Sequence, residues 1–147
     1  MRRIIGVLSV LLLSCGATAT LSAQEAGRDP PGRANGFQLE QNYPNPFNPE
    51  TKIPFVLSEA LFADGRPAVV TLRIYNLLQQ MVAIPVALGH PSGEGVPVRD
   101  LEYTQPGRYE AYWDGKDLSG RQVASGIYFM QLTVNGVSQL RKMYVLK

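Results

Sequence analysis

A two-residue alternation of apolar and polar side chains runs through most of this chain and limits what it can become. "TKIPFVL" puts Ile53, Phe55 and Leu57 on one face, and "AVVTLRIYN" puts Val70, Leu72 and Ile74 on one face against Thr71 and Arg73. "GRYEAYWDG" sets Tyr109, Ala111 and Trp113 against Arg108, Glu110 and Tyr112. "GIYFMQLTVNG" sets Tyr128, Met130, Leu132 and Val134 against Phe129, Gln131 and Thr133. Period two is the signature of half-buried strands, and no segment carries a long 3.6-residue period. The final "LRKMYVLK" alternates less cleanly. "MVAIPVAL" is a further strand candidate in which Pro85 demands an edge or a break. "SEALFADG" has room for one helical turn with Ser58 as its cap. The expectation is all-β: a single immunoglobulin-like antiparallel β-sandwich of about seven strands, with Phe55, Leu72, Ile74, Trp113 and Tyr128 in its core.

The sandwich should occupy residues 37–147, one compact domain with one core. Residues 1–23 have the layout of a secretory signal peptide: Arg2 and Arg3, an apolar run from Ile4 to Leu13, then small residues, with cleavage expected after Ala23. The run is too short for a membrane span of about 20 residues. Cys15 is the only cysteine, and "LLSC" offers an alternative as a lipid-anchor site. Residues 24–36, "QEAGRDPPGRANG", read as a flexible linker. The chain has 14 Lys and Arg against 12 Asp and Glu; without Arg2 and Arg3 the two signs balance. No basic excess remains to draw in phosphate, so nucleic acid is not an expected partner.

"YPNPFNP", Tyr43 to Pro49, stands at the start of the domain. Pro44, Pro46 and Pro49 exclude helix and central strand. The segment is expected to lie along the sandwich without donating N–H groups. Tyr43 or Phe47 would cover the end of the core, and Asn45 and Asn48 would bond neighbouring backbone.

Catalytic constellations are not visible. His90, the only histidine, sits in the Gly/Pro-rich "LGHPSGEGVP" and is expected to be solvated, without the partners a general base needs. In "WDGKDLSGRQVASG", Asp114 and Asp117 do not have EF-hand spacing. The better reading is mechanical: Asp114-Gly115 turns, Asp117 holds backbone N–H groups, and Gly120 takes a positive φ. Trp113 and Tyr128 read as core, with the Tyr128 hydroxyl bonded to backbone at a strand corner. The reading is a non-enzyme with no metal and no cofactor.

Four blocks, "LEQNYPNPFNPETKIPFVL", "VTLRIYNLLQQMV", "GRYEAYWDGKDLSGRQVASGIYFMQLTVNG" and the terminal "RKMYVLK", resemble in order the type A C-terminal sorting domain of proteins exported by the type IX secretion system. They also resemble the Ig-like domain of flagellar hook-cap proteins. The resemblance implies export through the inner membrane, folding in the periplasm, and recognition of the folded domain by outer-membrane secretion machinery. A sortase-like peptidase would follow, leaving the product extracellular or on the cell surface. By position the implied recognition elements are Tyr43, Pro44, Asn45, Pro46, Phe47, Asn48 and Pro49, then the stretch from Trp113 through Gly120 to Gly126, then Arg141, Lys142 and Lys147. The family's usual glycine after "IYN" is replaced here by Leu77-Leu78-Gln79-Gln80, so that hairpin must be built differently. The 86–105 segment is expected to form an extended loop. The alternatives are a structural interaction module akin to the hook-cap domain and a small surface lipoprotein anchored at Cys15.

Overall fold

The computed structural model describes residues 35–147; the expected signal peptide, Cys15 and all but the end of the expected linker lie outside the described residues. The described chain is all β, with two antiparallel sheets face to face. Sheet A runs in the order β1 (Phe37–Leu39), β2 (Thr51–Leu57), β7 (Gly107–Trp113), β5 (Val86–Ala87). Sheet B runs β4 (Met81–Ala83), β3 (Ala68–Tyr75), β8 (Gly126–Val134), β9 (Val137–Val145), with β6 (Leu101–Tyr103) also on β3. That makes nine described strands where about seven were expected and six segments were named from the sequence. Two of the additions, β1 and β6, have only three residues each, too few to show a period.

The third addition comes from the proline. "MVAIPVAL" forms β4 in sheet B, breaks at Ile84-Pro85, and resumes as β5 in sheet A. Proline donates no ladder hydrogen bond, so it sits where the chain changes sheets. The alternation places the core as expected. Phe55, Leu72 and Ile74 are fully buried, and Trp113 and Tyr128 nearly so. A four-residue 3-10 turn, Glu59–Phe62, follows Ser58, but the Ser58 hydroxyl makes no capping bond; its backbone N–H is bonded to the Gly36 carbonyl instead.

Two hairpins illustrate different turn chemistry. β8 and β9 meet at Asn135-Gly136, both at positive φ, the geometry that matches strand twist. β3 and β4 have no glycine to use. Gln79 takes φ 61° instead, and the Asn76 side chain accepts the N–H groups of Leu78 and Gln80 to hold the loop.

The segment expected to be one extended loop, 86–105, contains β5 and β6, and the 88–100 stretch between them is pinned from inside. His90 is buried rather than solvated, edge-on to Tyr103 at 4.8 Å. Its Nδ1 accepts the Ser92 N–H at 3.0 Å, so Nε2 carries the proton and donates to the Glu102 carbonyl at 2.9 Å. Both nitrogens are spent on backbone, which makes His90 a structural residue.

Candidate functional site: one end of the sandwich

Four stretches far apart in sequence meet at one end of the fold. Phe47 is buried and sits edge-on to Trp113 with centroids 5.3 Å apart; Trp113 sits edge-on to Tyr128 at 6.0 Å. Such edge-to-face pairs add to the stabilisation from burial itself. The polar ends of the rings are satisfied on backbone: Trp113 Nε1 donates to the Lys116 carbonyl at 2.9 Å, and the Tyr128 hydroxyl donates to the Ala124 carbonyl at 2.9 Å. The Tyr128 bond is the strand-corner arrangement expected from the sequence.

The proline-rich segment is a strap. Its prolines donate nothing, but Tyr43 and Phe47 both do, against the expectation. Tyr43 exchanges N–H and carbonyl with Lys52 at 2.9 Å each way. The Phe47 N–H bonds the Tyr144 carbonyl at 3.1 Å, and the Leu146 N–H returns to the Phe47 carbonyl at 3.0 Å. Asn45 Oδ1 accepts the Tyr144 N–H at 3.0 Å, while Asn48 finds no partner among the described residues. The strap thus covers the outer edge of the C-terminal end of β9. Phe47, not Tyr43, covers the core; Tyr43 is exposed and its hydroxyl bonds Glu110. That bond raises the Tyr43 phenol above its usual range.

The acidic turn has the mechanical role read from the sequence. Asp114 Oδ1 accepts the Lys116 N–H at 3.0 Å. Asp117 Oδ1 accepts the Ser119 hydroxyl, the Ser119 N–H and the Arg121 N–H at 2.6, 2.9 and 3.0 Å. The Ser119 hydroxyl, followed by the Arg121 N–H, holds its carboxyl below the ordinary range. Gly115 and Gly120 have φ of 73° and 83°. At Gly115 glycine is required twice over: a Cβ there would collide with the carbonyl oxygen of Pro49, the last residue of the strap.

The terminal strand closes the site. Lys147 donates its backbone N–H to Ser125 Oγ at 2.9 Å. Lys142 lies on the outer face with its Nζ 5.7 Å from the Tyr144 ring centroid. Arg141 points the other way. Its Nε donates to the Leu39 carbonyl at 2.6 Å, beside Gln139, whose side chain bonds both the Phe37 carbonyl and the Leu39 N–H. These two side chains cap the free edge of β1, so Arg141 staples the sheets together while its side chain stays exposed. No local pattern signals these contacts, since the partners lie about a hundred residues apart.

No family model matches this chain, and no curated protein matches it in sequence. Three solved structures resemble its fold. Dimeric latent PorU from Porphyromonas gingivalis aligns at 19% identity and TM-score 0.49, over 75% of this chain and 9% of that one. PorZ, a surface component of the type IX secretion system of Porphyromonas gingivalis, aligns at 18% and 0.44, over 78% and 12%. The alkylpurine DNA glycosylase AlkC of Pseudomonas fluorescens, bound to DNA with an abasic site analog, aligns at 11% and 0.43, over 76% and 31%. The chain spans less than a third of the length of each, and at these values the likeness assigns no function.

Proposed function

We propose that residues 37–147 are a non-catalytic, exported recognition module, read as a folded unit by outer-membrane secretion machinery in the manner of a type IX sorting domain. The observation that carries this reading is the convergence of three of the four sequence blocks. Phe47 of the strap, Trp113 of the acidic turn, Tyr128 of β8 and the Tyr144–Leu146 stretch of β9 build one end of the sandwich. A receptor that reads this end reads a folded domain, because no single block makes it. The reading without catalysis is supported by the engagement of the polar groups that chemistry would use: His90, Asp114 and Asp117 are all tied to backbone. Export through the inner membrane, with the product at the cell surface or outside, belongs to the same proposal, as does processing by a sortase-like peptidase.

The test is relocation. The domain is fused to a signal-bearing reporter in a bacterium with a working type IX system. The reporter should reach the surface or medium with the intact domain and remain in the periplasm with none. A companion with Gly115→Ala should stay behind in proportion to its loss of folding. Equal export with and without the domain refutes the address reading.

A further inference from the structure

The outer face of sheet B carries a feature that the recognition end does not explain. The register sets two rows across β3, β8 and β9: Tyr75, Phe129 and Lys142 in one, Arg73, Gln131 and Leu140 in the next. Tyr75, Leu77, Phe129, Gln131 and Leu140 line an open groove of about 500 Å³. Leu77 and Leu140 are 63% and 58% exposed, large aliphatic surface left in water at its rims. Arg73 and Lys142 stand at opposite corners of the two rows, and neither has a carboxylate partner among the described residues. Asp100, bonded to Thr71 two residues before Arg73, makes no ion pair with it. Lys142 touches only the Tyr144 ring and, through its carbonyl, Gln41.

We infer that this face docks an extended acidic peptide of a partner protein, with the pattern acid, any, apolar, any, acid. The spacing follows from sheet geometry. Arg73 and Lys142 are two strands and one side-chain step apart, about 12 Å on strand spacing and rise. In an extended chain, side chains four residues apart lie on the same face and are separated by about 13 Å. One carboxylate then meets each cation. The side chain midway between them falls on β8 between Phe129 and Gln131, both of which line the groove. Charge complementarity selects the acidic peptide over a basic one, and the groove selects an apolar middle residue over a polar one. This inference stands apart from the sorting proposal, because it concerns a different surface and is read by binding rather than by export.

The experiment titrates the full chain with the capped synthetic peptide TETLTET. The controls are TKTLTKT, which reverses the charge, and TEELTTT, which keeps the composition and changes the spacing. Saturable binding of TETLTET is expected, weakened roughly tenfold or more by Arg73→Glu with Lys142→Glu. TKTLTKT should bind the reversed variant better than it binds the parent. Circular dichroism verifies the fold of the variant, and Arg73→Gln with Lys142→Gln serves in its place if the reversal disturbs folding. No binding up to about 1 mM peptide, affinity unmoved by either double variant, or equal binding of TEELTTT overturns the proposal. Sedimentation of the free chain provides the remaining outcome: a dimer abolished by Leu140→Glu assigns the face to a second copy and overturns the peptide reading.

Discussion

The two outer faces of the sandwich have met water in opposite ways. On sheet A, Arg108 lies between Glu40 and Glu110 with both ion pairs at 3.1 Å, Tyr43 bonds Glu110, and Tyr112 bonds Glu50 at 2.5 Å. Glu40, Arg108 and Glu110 answer one another there, and Lys52 is the one charge of β2 and β7 on that face without an ion pair among the described residues. On sheet B the corresponding rows hold Tyr75, Phe129 and Leu140, with Arg73 and Lys142 unanswered. Both sheets rest on the same core and hold the same alternation, so the fold does not require this difference. It is the difference on which the inferred docking face rests.

The frame shared by both faces should give the largest effect. Phe47→Ala empties a buried site against Trp113 and should cost about 3–5 kcal/mol in urea unfolding. Loss of structure should reach both sheets in one transition; unfolding of one face alone would break the idea of a common frame. Gly115→Ala is next, at about 1–3 kcal/mol, from a positive φ together with the collision against Pro49. A cost near zero would mean that strap and turn do not pack as described.

The pH dependence sharpens the sheet A side. The hydrogen bond to Glu50 pushes the Tyr112 phenol up to about 12, and burial does the same for Tyr103. The folded chain therefore keeps protons that the unfolded chain releases. This contribution is full below about pH 10 and fades as pH rises from there toward 12. Tyr112→Phe should flatten that decline while leaving the Tyr103 part in place. A decline equally steep in the variant contradicts the Glu50 bond. A smaller effect belongs to Arg108→Ala, which should lower the melting temperature in dilute buffer and lose most of that difference in about 1 M NaCl. The smallest belongs to sheet B: Leu140→Thr should change stability by no more than about 0.5 kcal/mol, since Leu140 supports nothing beneath it.

The alternation was enough to place Ile53, Phe55, Val70, Leu72, Met130 and Leu132 inside, because burial on a strand is a local, period-two property. Asp117 was legible for a similar reason: its N–H partners lie two and four residues away. What escaped the sequence depends on partners far along the chain. Phe47 reaching Tyr144, and Arg141 reaching Leu39, are contacts between ends of the domain that no local pattern records. His90 escaped because a glycine- and proline-rich loop normally lies over the surface, and here Tyr103 and the Glu102 carbonyl draw the ring inward. Sheet membership of β4 and β5 escaped because Pro85 signals a break without saying where the chain resumes.

The contrast between the faces is tested most directly by amide chemical-shift mapping of the labelled chain titrated with TETLTET. The account predicts shifts confined to residues 73–79, 127–131 and 138–144, with 38–40, 52–56 and 108–112 unmoved. Shifts spread over both faces, or concentrated around Arg108, would contradict it.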